Sequence, residues 1–220
     1  PHLAASTAEA QLRVSVDAVE ALLAYLLHGE VRSAVNVTGL PSHVTARQHA
    51  FFDLCARMGT LLSGWSAEGV ERITLGTYSD SLREVAPMLS WQAMVSIVGP
   101  HLDTRLNLVN AKEHAQRRGI AVEHTAHAQL ENQPESLTLT LHSRGQERTI
   151  EGTVLADYKP RVRSIDGYRM ELIPERSMVL IFNDDRPGVI GLVGQAFGSA
   201  GINIADMALS RRGKTALMVL

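Results

Sequence analysis

From Leu137 to Leu172 the chain turns back on itself at short, well-marked intervals, and this commits its middle to a sheet of hairpins. Leu137, Leu139 and Leu141 alternate with polar residues, as a strand buried on one face requires. Ser143-Arg144-Gly145-Gln146 is a hairpin turn, and Glu147 to Leu155 returns with Ile150 and Val154. Val162–Ile165 and Tyr168–Leu172 then flank Asp166-Gly167, a two-residue pair suited to the positive φ angles of a tight hairpin.

Helical spacing dominates elsewhere. Ser6 and Glu9 have the spacing of a capping box. Leu12, Val16, Val19, Leu23, Leu26 and Leu27 follow at intervals of three and four, predicting a helix from Thr7 to His28 that Gly29 stops. Ala34–Pro41 is rich in turn formers and predicts a linker at a domain boundary. The spacing predicts helices over Thr45–Ser63, Ser81–Val98 (Pro87 in or near the first turn) and Asn107–Arg118, and strands over Gly69–Tyr78 and Ile120–Ala126. The last segment reads as strand Met178–Phe182, polar loop Asn183–Gly188, helix Val189–Ala200 with Ile190, Val193, Ala196, Phe197 and Ala200 on one side, strand Ile202–Leu209, hairpin Arg211–Lys214 and strand Thr215–Leu220. The expected class is α+β.

A formal net charge of −2 argues against a nucleic-acid partner. No apolar run reaches the roughly 18 residues of a membrane span. The single cysteine, Cys55, allows no intrachain disulfide and suits a reducing, cytoplasmic setting. Nine histidines raise the question of a metal, but His124 and His127 fall on opposite faces of a strand and no cysteine pairs exist, so no metal site is expected. The chain starts at Pro1 without Met and stops inside the apolar run Leu217–Leu220, as a fragment cut at both ends would.

Three motifs carry a family resemblance. Pro1-His2-Leu3-Ala4-Ala5-Ser6-Thr7 with Glu9-Ala10-Gln11 resembles the end of the catalytic domain of D-2-hydroxyacid dehydrogenases, with Ala4 where glycine is usual. Arg161–Tyr168 resembles the end of the intervening domain of long-form phosphoglycerate dehydrogenases. Asn183–Gly191 with Gly201-Ile202-Asn203-Ile204 resembles an amino-acid-sensing ACT domain. The resemblance implies three parts: a catalytic-domain stub with its C-terminal helix (1–35), an α+β intervening domain that binds substrate allosterically (36–175), and an incomplete ferredoxin-like ACT domain of βαββ order (176–220).

The activity it implies is NAD-dependent oxidation of 3-phosphoglycerate to 3-phosphohydroxypyruvate in L-serine biosynthesis, by a cytoplasmic homo-oligomer that L-serine inhibits. NAD would bind the parent enzyme. This chain alone is expected to hold no cofactor and to be inactive. His2 would be the base that takes the hydroxyl proton, a task suited to an imidazole titrating near neutrality.

A zwitterion needs an acceptor for its ammonium and donors for its carboxylate. Asp185 offers the first. Pro187, read as the first helical residue, leaves the following N–H groups for the second. The resemblance puts effector contacts at Asn183, Asp185 and Asn203, where an aromatic or His is often found in place of Asn183. The residues alone also allow Asp185 to cap the helix and Asn203 to close a turn. Lys159, Arg161, Arg163 and Arg169 form a basic cluster that either holds an anion or is a solvated face. Gly188, Gly191 and Gly194 are spaced three and three, unlike a dinucleotide loop, and suit a close helix approach at a subunit or ligand contact. Two other readings fit these features: a stand-alone ACT regulatory module, or the regulatory subunit of an iron–sulfur L-serine dehydratase.

Overall fold

The computed structural model describes residues 7–28, 44–66, 69–129, 131–175 and 177–220. Contacts divide the chain into two compact units, 1–43 and 44–220. In the first, α1 spans Ala8–His28. Its cap is Thr7, whose hydroxyl accepts from the Ala10 N–H at 3.2 Å. The capping box read for Ser6 lies outside the described residues, as do His2 and the Ala34–Pro41 linker.

The second unit opens with α2 (Ala46–Ser63), started by a reciprocal capping box between Thr45 and Gln48. Strand β1 (Arg72–Tyr78) follows, then α3 (Ala86–Val98), α4 (Ala111–Arg118) and β2 (Ala121–His127). Strand β2 lies parallel to β1, so the intervening helices form the crossover. Pro87 sits in the first turn of α3 and explains why that helix starts later than its apolar spacing suggests; the residues ahead of it, Asp80–Leu82, form a 3-10 turn. Gly119, at φ +67°, ends α4.

The meander then runs β3 (Ser136–Ser143), β4 (Gln146–Val154), β5 (Pro160–Ile165) and β6 (Tyr168–Leu172), all antiparallel. The six strands are ordered β2-β1-β3-β4-β5-β6. Both predicted tight turns take positive φ at their two central residues, Arg144-Gly145 and Asp166-Gly167.

One face of this sheet packs on α2 and α3. Leu137, Leu139 and Leu141 alternate inward and join Ile73, Leu75, Ile150 and Val162 against Phe51, Leu54, Met58, Leu89 and Ile97. Two glycines set the spacing of these layers. A Cβ at Gly59 of α2 would lie 2.6 Å from Ser96 Cβ on α3. A Cβ at Gly152 of β4 would lie 2.8 Å from Met58 Sδ and 2.9 Å from Leu54 Cδ1 on α2.

A carboxylate ties the entry of α2 to the sheet. Glu135 accepts hydrogen bonds from the Arg47 guanidinium and the hydroxyls of Ser79 and Ser81, while Arg47 also donates to the Val154 carbonyl at 3.3 Å. Burial pushes the Glu135 carboxyl up, but the donors Ser79, Ser81 and Arg47 together outweigh it and hold the group below its usual 4.5.

The remaining elements are β7 (Leu180–Asp184), α5 (Val189–Ser199), β8 (Ala208–Arg212) and β9 (Thr215–Val219). The three strands form a second antiparallel sheet, ordered β7-β9-β8. Strand β8 starts at Ala208, not Ile202, because residues 202–207 run irregularly after the Gly201 turn at φ +68°. In α5 the half-buried side is Val189, Val193 and Phe197, whereas Ile190 is 47% and Leu192 70% exposed.

The two sheets meet at a polar-aromatic joint. The Arg148 guanidinium lies against the rings of Trp65 and Phe182, at 5.3 and 5.2 Å from their centroids, and pairs with Asp166 at 2.7 Å. Arg212 of β8 donates to the Asp166 carbonyl at 2.7 Å. Tyr168 and Thr215 share a hydrogen bond of 2.6 Å, and Tyr168 and Trp65 each meet Phe182 edge-on. Leu217 and Val219 of β9 complete the shared core.

Two measurements check this packing. Gly152→Ala is expected to destabilise the fold by about 1–3 kcal/mol in urea unfolding, because the neighbours it would strike are core side chains. Because the folded-state pKa of Glu135 is depressed, its contribution is present at pH above 4.5 and is lost as pH falls below it. Thermal melts from pH 7 to pH 3 are expected to show a shallower acid decline for Glu135→Gln than for the parent; identical slopes would count against the clamp.

Candidate functional site

Residues of the second sheet alternate between two surroundings. Phe182, Leu217, Val219 and Arg212 face the joint and the core. Their neighbours Asn183, Ala216, Met218, Leu209 and Arg211 line a cavity of about 350 Å³ on the other face, closed at one side by Asp185–Ile190. The two-residue loop Gly213-Lys214 fixes the register, pairing Arg211 with Ala216 across β8 and β9. Ala216 pairs on its other side with Asn183 of β7. Asn183 and Arg211 thus stand on one row, two strand spacings or roughly 10 Å apart, with a methyl group between them.

Asp185 leaves β7 with its N–H donating to the Lys214 carbonyl at 2.9 Å. Its carboxylate meets Arg211: Nε lies 3.0 Å from both oxygens. Helix α5 has no side-chain cap, so the alternative reading of Asp185 as a helix cap is not realised. Pro187 also stands outside the helix. Gly188, left-handed at φ +92°, is the N-cap and Val189 the first helical residue, a conformation favouring glycine. Asn183 donates from Nδ2 to the Asp184 carbonyl at 2.7 Å. Its Oδ1 is cut off from solvent and has no partner among the described residues.

Of the three effector positions read from sequence, the structure brings together Asn183 and Asp185. Asn203 is exposed in the irregular stretch before β8 and does not line the cavity. The group that sequence reading missed is Arg211, assigned only to a hairpin. Counting back from a two-residue turn at Gly213-Lys214 would have put it on the same face as Asn183.

The basic cluster does not converge. Lys159 pairs with Asp157 at 3.1 Å, and Arg161 lies 3.7 Å from Glu171 with its side chain largely buried. Arg163 and Arg169 are exposed on paired strands, at a bulge between Val162 and Ser164. None of the four lines the cavity beside Asp185. A second cavity of about 480 Å³ lies near the ends of α2, α3 and α4, lined by Val70, Val98, Leu102 and Ile120 with His101 and Arg118. His101 Nε2 is engaged by the Ser63 carbonyl at 2.9 Å.

Other titratable groups have structural partners. His127 stacks on Tyr78 with centroids 4.9 Å apart. Cys55 is fully buried beside the Leu89 carbonyl, and burial pushes its thiol up to about 12, which leaves it unreactive. Among the described residues, no cluster of three His, Cys, Asp or Glu side chains is arranged for a metal, and no helix is long and apolar enough to cross a membrane.

Comparison with known proteins bears on residues 47–166, over half of the chain, which match the model of the D-3-phosphoglycerate dehydrogenase intervening domain. The chain is 32% identical over 213 residues to a D-3-phosphoglycerate dehydrogenase of Synechocystis sp. (strain PCC 6803), covering 96% of the chain and 38% of that relative. Enzymes of the same name from Archaeoglobus fulgidus and Bacillus subtilis are 30% and 28% identical, covering 97% and 100% of the chain and 40% and 42% of their own lengths. The chain therefore spans about two fifths of the curated relatives it matches. By the match of its helix-covered sheet, the chain belongs to the D-3-phosphoglycerate dehydrogenase family.

Proposed function

We propose that this chain is the regulatory part of an NAD-dependent phosphoglycerate dehydrogenase that oxidises 3-phosphoglycerate to 3-phosphohydroxypyruvate for L-serine biosynthesis. The observation that carries the proposal is the similarity along nearly the whole chain to enzymes of that name. In the parent enzyme NAD would supply the hydride acceptor, and His2 would take the hydroxyl proton. Gly188, Gly191 and Gly194 begin and line a helix at intervals of three, unlike a dinucleotide loop. The chain alone is read as inactive. A stand-alone sensor and a dehydratase subunit are both disfavoured by the relatives' names.

The second sheet is read as part of an ACT domain, supported by its βαββ order and by β9 lying between β7 and β8. Its cavity is read as the effector site for L-serine, supported by the polar row Asn183–Ala216–Arg211 beside Asp185. The α5 surface is read as a contact between copies in a homo-oligomer. It exposes Ile190 and Leu192, and open space surrounds Gly191, Gly194 and Gly198. A cytoplasmic location suits the single buried thiol. Arg163 and Arg169, the two members of the cluster without an ion pair among the described residues, remain the part of it available to an anion.

Three outcomes test this reading in the full-length enzyme. Asp185→Ala is expected to raise the L-serine concentration for half-inhibition by about tenfold or more, the loss of one charge-assisted contact, with the KM for 3-phosphoglycerate unchanged. Unaltered inhibition would reject the effector site. Asp185→Asn should shift the unfolding free energy by no more than about 1 kcal/mol, because the Arg211 pair is partly solvated, so that lost inhibition reports the site and not the fold. His2→Gln should lower kcat by about 10²–10⁴-fold while leaving L-serine binding intact.

A further inference from the structure

Among the described residues two hydrogen bonds join the two sheets, and both leave the hairpin of β8 and β9. Arg212 donates from Nη1 to the Asp166 carbonyl at 2.7 Å, and Thr215 and Tyr168 share a bond of 2.6 Å. The Thr215 hydroxyl donates to the Arg212 carbonyl at 2.9 Å, which ties the two links together. The Arg212 guanidinium also lies close to Gly167, where a Cβ would stand 3.2 Å from its Nη1. What else joins the sheets is Arg148 against Phe182, edge-on rings and apolar packing. Apolar attraction has no preferred direction, whereas a charge-assisted bond to a carbonyl does. Arg212 follows Arg211 on β8, so their side chains leave opposite faces of the strand. Arg211 lines the cavity and Arg212 reaches the joint. Beyond the Asp166 carbonyl the contacts continue into the first sheet. The Asp166 carboxylate accepts from Arg148 Nη1 at 2.7 Å and from the Thr149 N–H at 2.8 Å, both on β4. Arg148 Nε is closed to solvent and has no partner among the described residues, so Asp166 alone holds that guanidinium by a hydrogen bond.

We propose that Arg212 couples the cavity to the first sheet: a shift of β8 on ligand binding moves the Asp166-Gly167 turn through the bond from Arg212 to the Asp166 carbonyl, and Asp166 passes the shift to Arg148 and β4. Arg212 is a positioning residue, since it lies on the face of β8 away from the cavity. One planar peptide unit separates it from Arg211, so a rotation of the strand that draws one side chain inward swings the other outward. Coupling also needs two discrete arrangements, because a ligand that binds both alike shifts neither. The Arg212 bond supplies them by being made or broken. Arg212 is exposed, so the bond opens without opening the core. Its far end is the more constrained: Asp166 sits in a turn where both central residues hold positive φ, and its carboxylate is committed to β4.

This inference rests on the reading of the cavity as an effector site, and the test separates the two. In the full-length enzyme, L-serine binding is measured by calorimetry, and the rate is measured without L-serine and at saturation. The parent is compared with Arg212→Gln, Arg212→Lys and Asp166→Asn, with thermal melts confirming that each is folded. Asp166→Asn keeps acceptors for Thr149 and Arg212 while removing the charge opposite Arg148. The parent is expected to lose rate by about fivefold or more at saturation. Arg212→Gln and Asp166→Asn are expected to keep the uninhibited rate, to bind L-serine within about threefold of the parent, and to lose less than about twofold of their rate at saturation. Arg212→Lys is expected to fall between, since an ammonium still donates to the carbonyl but without the planar fork. Hydrogen exchange across β4 is expected to respond to L-serine in the parent and not in Arg212→Gln. If saturated Arg212→Gln is inhibited as fully as the parent, or if its β4 still responds, the coupling role is overturned and the effector site stands. Should Arg212→Gln not fold, full inhibition of saturated Asp166→Asn is the overturning result. If the parent binds L-serine without losing rate, the coupling role is overturned while the site stands; if it does not bind L-serine, both fall.

Discussion

A guanidinium packed against an edge-on pair of aromatic rings is the interaction on which the rest of residues 44–220 depends. Arg148 extends from β4 onto the pair formed by Trp65, just beyond α2, and Phe182 on β7. A charge so placed is tolerated only when paired, and Asp166 supplies the pair from the turn between β5 and β6. The same aspartate binds the Thr149 N–H through its other oxygen and offers its carbonyl to Arg212. One turn residue thereby bonds to β4 of the first sheet and β8 of the second. The turn geometry makes this possible: Asp166 and Gly167 both adopt positive φ, and Gly167 leaves room for the Arg212 guanidinium beside it.

The joint gives the second sheet two unlike faces. Phe182 and Asn183 are consecutive on β7, as are Arg211 and Arg212 on β8. In each pair one residue meets the joint and the other the cavity. Any ligand that displaces Asn183 or Arg211 must therefore strain or relieve contacts one residue away. Regulation requires that the ligand bind one arrangement of this joint better than another, since tight binding alone shifts no equilibrium.

Much of the fold was legible because it rests on short-range rules. The alternation of Leu137, Leu139 and Leu141, the turn at Asp166-Gly167 and the periodicity of α2 each specify structure through neighbouring residues. Boundaries that depend on a single backbone angle were less legible. Gly188, by turning left-handed, leaves Pro187 outside α5, and the Gly201 turn delayed β8 to Ala208. The candidate site was half visible. Asn183 and Asp185 stood out as polar residues in a loop-like run, but the partner of Asp185 lies 26 residues away and appears only when β8 and β9 are placed in register. Asn203 was read as entering a strand, and the irregular path of 202–207 leaves it exposed instead. The role of Arg148 was invisible because nothing local marks it; its environment is assembled from α2, β4, β7 and a hairpin turn.

The central claim is that this joint makes the two sheets one cooperative body, so that events at the cavity are felt beneath α2 and α3. Native-state hydrogen exchange at rising urea tests it most directly. The account predicts that the amides of Leu217 in β9 and Ile150 in β4 lose protection in the same transition. Loss of protection across β7, β8 and β9 in a separate step at lower urea, with β4 still protected, would contradict it.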